Sequence, residues 1–379
     1  MKETAAGAPG PDKPGSEQRV SMEPGPQQRR GGGPGGKRGQ TAPHELARRI
    51  VGASALSLAL LTAGTAVGLY AVYNRLDHNI KTVDIGLPSI GATTATNSKV
   101  KDGPLNILLI GSDSRAGDNA VYGADSGARS DTTMLLHVAS DRKTATVASI
   151  PRDSMVQIPS CDLANGKTST ARLNMFNSAF STGGAACTVK TVTALTGIPI
   201  DHVMVVDFTG FKTIVDAVGG VTVHLDQAVA DPDSHLNLPA GDSVVTGDQA
   251  LAFVRARHGL GDGSDIGRMQ RQQEFLNAVL DKLSSDGVLS DPSKLFKVLD
   301  AATTSLTTDA SLGSLSALTS LAGDLKTVPR TGITYLTVPW QVYAPDPNRL
   351  EFAPASVTLF EALRDDRPVP VSISATLGS

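Results

Sequence analysis

An α/β domain, built as an α-β-α sandwich around a mixed central sheet and preceded by one transmembrane helix, is the fold class that three features of this sequence predict. Residues 50–74, IVGASALSLALLTAGTAVGLYAVYN, carry no charge. Wound as a helix at about 1.5 Å per residue, they are long enough to cross roughly 30 Å of hydrocarbon. The nearly continuous apolar run LNILLIG (105–111) has the pattern of a strand covered on both faces. Further strand-like segments then alternate with segments of helical spacing, which implies mixed α/β layering.

In order along the chain, residues 1–49 hold repeated Gly, Pro, Gln and Arg with almost no large apolar side chains. Such a tail cannot bury enough surface to offset its chain entropy and is expected to be disordered. Arg29, Arg30, Lys37, Arg38, Arg48 and Arg49 precede the apolar segment, whereas Arg75 and Lys81 follow it. This asymmetry predicts a cytoplasmic N-terminus and an extracytoplasmic remainder. The segment reads as a retained single-pass cell-membrane anchor rather than a signal peptide, because its n-region is long and no clean small-residue cleavage site follows.

Residues 75–103 are expected as a linker to a domain spanning 104–379. TTMLLHVA (132–139) and TATVASI (144–150) read as neighbouring strands joined by a turn. VKTVTALTGI (189–198) reads as a helix with a Gly stop, HVMVVDF (202–208) as a strand, FKTIVDAVGG (211–220) as a helix, and GVTVHLD (220–226) as a strand. MQRQQEFLNAVLDKL (269–283) is amphipathic, with Phe275, Leu276, Val279 and Leu283 inward, and Arg271 is expected on its solvated face. TYLTVPW (334–340) is expected as a late strand.

The net charge of -3 and the 4% aromatic content give no global basis for nucleic-acid binding. Two cysteines, Cys161 and Cys187, in an exported domain read as one disulfide, with buried free thiols as the competing reading.

The chemistry gathers at the ends of apolar segments: GSDSR (111–115), ARSD (128–131), SIPRDS (149–154), RARH (255–258) and DIGRMQRQQ (265–273). Loops beyond strand carboxyl ends converge on one mouth in open α/β sheets. Arginine forks suit a diphosphate, and paired carboxylates such as Asp113 and Asp131 suit Mg²⁺, which takes few protein ligands plus phosphate oxygens. Arg255 and Arg257 would point the same way if their segment is extended. One Asp–Arg neighbour pair alone is more often a surface turn with a weak ion pair, but five such motifs at loop positions argue against coincidence. His258 reads as structural, GSDS lacks the spacing of a nucleophile elbow, and neither a Walker loop nor a zinc spacing occurs.

The motifs LNILLIGSDSR, ARSDTTMLLHV, ASIPRDSMVQIP, LTGIPIDHVMVVDFTGFKTIVDAVGGVTV and ALAFVRARHGLGDGSDIGRMQRQQEFL together resemble the LytR–CpsA–Psr family of cell-wall glycopolymer ligases, of actinobacterial type, over residues 105–285. The resemblance implies an α/β domain with a long apolar pocket for a polyprenyl chain. It also implies Mg²⁺-dependent transfer of a glycopolymer from a polyprenyl pyrophosphate carrier to peptidoglycan, at the muramic acid 6-hydroxyl, with release of polyprenyl phosphate. Carried over, Asp113 and Asp131 match the metal carboxylates. Arg115, Arg129, Arg152, Arg255, Arg257, Arg268 and Gln272 match the pyrophosphate ligands. Asp113, Arg152, Arg255, Arg257 and Asp265 are the residues expected to carry catalysis, and either Asp153 or Asp265 could take the acceptor's proton. Two departures stand out: ARLNMFN puts Arg172 and Met175 where many relatives have a Lys-containing Asn-Ala segment, and a glycine-rich loop lengthens the interval between Asp113 and Asp131.

A transcriptional regulator would need a cytoplasmic reading surface, and the basic tail shows no helix-turn-helix pattern. A glycan-binding or pyrophosphatase protein without ligase activity uses the same ligand set and stays open at this level.

Overall fold

A computed structural model describes residues 43–85, 103–113, 130–163, 165–232, 234–256, 264–285, 287–288 and 290–374. The chain divides into two compact units, Met1–Ala63 and Gly64–Ser379. Helix α1 (Pro43–Asn79) runs through the boundary. Its stretch Ala47–Asn79 is long and apolar enough to cross a membrane, and its side chains from Ile50 to Tyr70 are exposed, as a lipid-facing surface requires.

The second unit starts earlier than the sequence suggests. Residues 75–85, expected as the beginning of a linker, finish α1 and enter the sheet as β1 (Lys81–Val83). Leu76 is buried, Arg75 pairs with Asp300 at 3.1 Å, and Asp77 accepts a hydrogen bond from the Leu315 N–H at 2.8 Å. These tertiary partners lie more than two hundred residues away, which is why local composition does not reveal them.

The remaining strands are β2 (Leu105–Ser112), β3 (Ser130–Val138), β4 (Ala145–Ser149), β5 (Met155–Ile158), β6 (Arg172–Met175), β7 (His202–Asp207), β8 (Val221–Leu225), β9 (Val229–Asp231), β10 (Leu236–Leu238), β11 (Gly241–Val245), β12 (Leu306–Asp309), β13 (Ile333–Thr337), β14 (Trp340–Val342) and β15 (Leu350–Phe352). The helices are α2 (Ser178–Thr196), α3 (Phe208–Ala217), α4 (Gly247–Arg255), α5 (Asp265–Ser285), α6 (Pro292–Ser305), α7 (Leu315–Lys326), α8 (Ala355–Arg364) and α9 (Val371–Ser374).

A seven-stranded mixed sheet has the order β1-β12-β7-β2-β3-β4-β13. The strands β2, β7, β4 and β13 run in one direction, and β3 and β12 run against them. Alternation explains the apolar run in β2. Leu108 and Ile110 face a core with α2 and α8, while Ile107 and Leu109 face the opposite layer, where α7 packs. A second core joins α3, α4 and α5 to the β8–β11 hairpin through Phe208, Val215, Phe253 and Phe275.

Cys161 and Cys187 form a disulfide with a Cα separation of 5.4 Å, tying the β5–β6 region to α2. Helix α2 breaks at Gly183–Gly184, where only a glycine fits: a Cβ on Gly183 would sit 2.8 Å from the Asp162 carbonyl and 3.0 Å from the Cys187 Cβ. At the far end of the sheet Asp309 accepts hydrogen bonds from the Val203 N–H at 3.0 Å and from His202 at 3.3 Å. Burial raises the Asp309 pKa, but the bonds from His202, Ser311 and Val203 outweigh it and hold the carboxyl at about 2.

Two outcomes follow from this architecture. Replacing both cysteines by Ser should lower the unfolding free energy by about 3–4 kcal/mol on the loop-entropy account, read by denaturant titration with and without reductant. The Asp309 pKa is depressed in the folded state, so its contribution is fully present above the ordinary carboxyl value and is lost as pH falls through about 2. Asp309→Asn should therefore remove up to about 2 kcal/mol at neutral pH and flatten the acid limb of the Tm profile between about pH 4 and pH 2.

Candidate active site

A cavity of about 530 Å³ lies between the sheet and helices α3, α4 and α5. Its body is apolar: Leu109, Met134, Met204 and Val206 come from the sheet, and Phe211, Ile214, Leu251, Val254, Phe275, Leu276 and Val279 come from the helices. The inward stripe expected on 269–283 supplies the last three. Asp131, Arg152, Arg255, Arg268 and Gln272 join the lining as a polar set, and Asp207 and Asp231 add two further carboxylates.

Topology puts them there. The β2 and β4 carboxyl ends share one edge of the sheet with the start of β3. Ser112 of β2 faces Ser130 of β3 beside a bulge at Gly111, so Asp113 and Asp131, each the next residue in its chain, arise at the same end of one strand pair. Arg152 stands three residues beyond the last residue of β4, and Asp265, Arg268 and Gln272 occupy the first two turns of α5.

Arg152 is the centre of the polar cluster. Its Nη1 donates to Asp131 Oδ1 at 2.7 Å, its Nη2 lies 3.2 Å from Asp265 Oδ1, and its Nε lies 3.6 Å from Asp153 Oδ2. Asp265 Oδ1 also meets Arg268 Nη2 at 2.7 Å. Burial opposes the charge on Arg152, but Asp265, Asp131 and Asp153 overcome it and push the guanidinium pKa above its ordinary value. Asp265 Oδ2 and Gln272 Oε1 are buried without a hydrogen-bond partner among the described residues, and each belongs to a residue at this end of the cavity. Arg255, the last residue of α4, lays its guanidinium over the Phe208 ring at 4.6 Å. An arginine stacked in this way keeps its planar edge available for donation while its face is fixed.

Two expectations need correcting. Arg255 closes α4, which resolves the segment as a helix, and its conditional alignment with Arg257 lies outside the described residues. Arg271 is buried rather than solvated, with 7% of its surface exposed, and donates to the Ala256 carbonyl. That bond pins the residue after Arg255, and a helical wheel cannot anticipate a carbonyl fifteen residues away. Arg172 donates to Thr182 Oγ1 at 2.8 Å on an exposed face, and Met175 pairs with Met155 between β5 and β6. Arg115, Arg129, Arg257 and His258 lie outside the described residues. Reading the sequence missed Asp231, a buried carboxylate at the end of β9 that also lines the cavity with Ser234. An Asp ending a three-residue strand carries no pattern by which to find it.

The LytR_cpsA_psr family pattern matches residues 70–357, which spans every element of this site. The chain belongs to the LytR–CpsA–Psr family. The cell wall biosynthesis protein LcpA of Corynebacterium glutamicum is 32% identical over 278 residues, covering 66% of this chain and 52% of that protein. The polyisoprenyl-teichoic acid–peptidoglycan teichoic acid transferase TagU of Bacillus anthracis is 34% identical over 229 residues, 60% of this chain and 69% of that one. Among solved structures, TagV of Bacillus subtilis superposes with a TM-score of 0.54 at 27% identity, covering 70% of this chain and 98% of that chain. This member of the LytR–CpsA–Psr family thus spans about half the length of LcpA and nearly all of the crystallised TagV.

The arginine cluster yields a coupling prediction for this family member. Arg152→Ala and Asp265→Ala should each destabilise the domain, and the double variant should fall short of additivity by about 0.5–3 kcal/mol in a denaturant double-mutant cycle. Strict additivity would mean that the 3.2 Å pair carries no energy.

Proposed function

We propose that this chain is a membrane-anchored, extracytoplasmic transferase that moves a glycopolymer from a polyprenyl pyrophosphate carrier to peptidoglycan and releases polyprenyl phosphate. The observation that carries the reading is a single cavity that is apolar along its body and arginine-rich at its mouth, matching the two halves of a lipid diphosphate. Relatives described as polyisoprenyl-teichoic acid–peptidoglycan teichoic acid transferases support it.

In this reading the polyprenyl chain lies against Phe211, Phe275 and Val279, excluded from water, and the diphosphate meets Arg152, Arg255, Arg268 and Gln272. A sugar hydroxyl, taken to be the muramic acid 6-hydroxyl, bonds to the glycan-side phosphorus as the P–O bond to polyprenyl phosphate breaks. The hydroxyl proton passes to Asp153 or Asp265, the two carboxylates flanking Arg152 besides Asp131. Positioning and fixed positive charge then supply most of the rate enhancement.

Mg²⁺ fits the donor set. Asp113 and Asp131 start from the same end of the β2–β3 pair and would supply the hard oxygen ligands, with Asp131 also shared by Arg152. A pair of carboxylates suits an ion that keeps waters and takes phosphate oxygens. When bound, the ion would offset charge developing on the diphosphate. Helix α1 would hold the domain at the membrane surface with the N-terminus cytoplasmic.

The test is incubation of the full chain with a defined polyprenyl-pyrophosphate glycan and nascent peptidoglycan, with and without Mg²⁺, read by product mass. Asp113→Ala and Arg255→Ala should each lower kcat/KM by roughly 10²–10³ with the fold intact. Unchanged turnover in both variants would sink the enzyme reading, and product formed only with water as acceptor would reduce it to a pyrophosphatase.

A further inference from the structure

The third turn of α5 carries a polar residue that the diphosphate mouth does not use. Gln273 is buried, with 8% of its surface exposed, and it is absent from the cavity lining. Its side-chain nitrogen donates to Ser149 Oγ at 2.7 Å and to the Leu336 carbonyl at 2.9 Å, which occupies both of its N–H bonds. Those acceptors sit on adjacent parallel strands: Ser149 ends β4, and Leu336 is the ladder partner of Ala148. Ser149 itself is fully buried, so neither bond competes with solvent.

The strand that Gln273 grips is the one that delivers Arg152, and the helix that carries Gln273 delivers Asp265, Arg268 and Gln272. Asp265 lies eight residues before Gln273, about 12 Å along the helix. Phe275 packs against Phe211 and Phe253, while Leu276 and Val279 wall the cavity of about 530 Å³. Burial of such side chains is non-directional and tolerates sliding or rotation of the helix. A primary amide with two fixed donors does not.

We infer that Gln273 is a positioning residue of the diphosphate site: it sets the placement of α5 against β4 and β13 so that Asp265, Arg268 and Gln272 meet Arg152. This rests on the proposed function only in taking the ligand at the mouth to be a diphosphate. Gln273 touches no substrate, and its effect on binding passes through the 3.2 Å contact between Arg152 and Asp265.

The experiment is calorimetric titration of the full chain in detergent with inorganic pyrophosphate and Mg²⁺, from pH 5 to pH 8, for the wild type, Gln273→Met, Gln273→Glu and Ser149→Ala. Gln273→Met, similar in volume but without donors, should weaken binding at least about tenfold. Ser149→Ala leaves the Leu336 bond and should cost only about threefold. Gln273→Glu adds a readout that a packing defect would not give. Its protonated carboxyl can still donate to the Leu336 carbonyl, whereas the ionised form sets two acceptors against each other. Its Kd relative to the wild type at the same pH should therefore rise with pH, by about tenfold across the range. Binding by Gln273→Met within twofold of the wild type, or a flat Gln273→Glu ratio, overturns the inference. A wild type that binds no pyrophosphate overturns the proposed function as well, so the two failures are told apart by the wild-type titration alone.

Discussion

One guanidinium joins three of the pieces of backbone from which the mouth is assembled. Arg152 leaves the end of β4, Asp131 begins β3, and Asp265 begins α5, and the short contacts among them hold strand ends and helix start together. An arginine can do this because its planar fork serves several carboxylates at fixed angles and keeps its proton in a half-buried setting. The ledger of charge is equally telling. Asp131, Asp153 and Asp265 share Arg152, with Arg268 as a second cation on Asp265, so this part of the cluster holds three carboxylates against two guanidinium groups.

The same helix has to satisfy opposing demands. Along one face α5 walls an apolar cavity and packs Phe275 against Phe211 and Phe253. Along its other contacts it is fastened by polar side chains, through Gln273 near its start and through Arg330, which donates to the Asn277 carbonyl at 2.9 Å and pairs with Asp281 at 2.6 Å, further along. Directional bonds thus add a fixed placement to the packing that α5 shares with α3 and α4.

Much of this was readable from residues alone, and the exceptions share a cause. The run LNILLIG announces β2 because both faces of that strand are covered, and Phe275, Leu276 and Val279 announce the inner face of α5 through their spacing. Asp131, Arg152, Arg255, Arg268 and Gln272 were legible as a set because they cluster at segment ends, where the sheet topology gathers them. Strands of three or four residues, such as β1, β9, β14 and β15, are too short to show a period. Arg271 and Gln273 look like members of a solvated stripe, and only the carbonyls of Ala256 and Leu336, remote in sequence, turn them inward. Residues whose environment is made by distant backbone leave no local mark.

The union of α1 with β1 bears on how this protein can be cut. Only Ile80 separates the two elements, and β1 lies on the outer edge of β12 in parallel register from Lys81 to Val83. A recombinant fragment begun at the apparent domain start near Pro104 would strip β12 of that neighbour and leave its N–H and C=O groups as an open template for another chain. It would also discard Leu76 and Asp77, whose contacts close the space beside α7. The last turns of α1 and β1 are thus part of the folded unit, and a fragment that keeps them leaves the β12 edge covered.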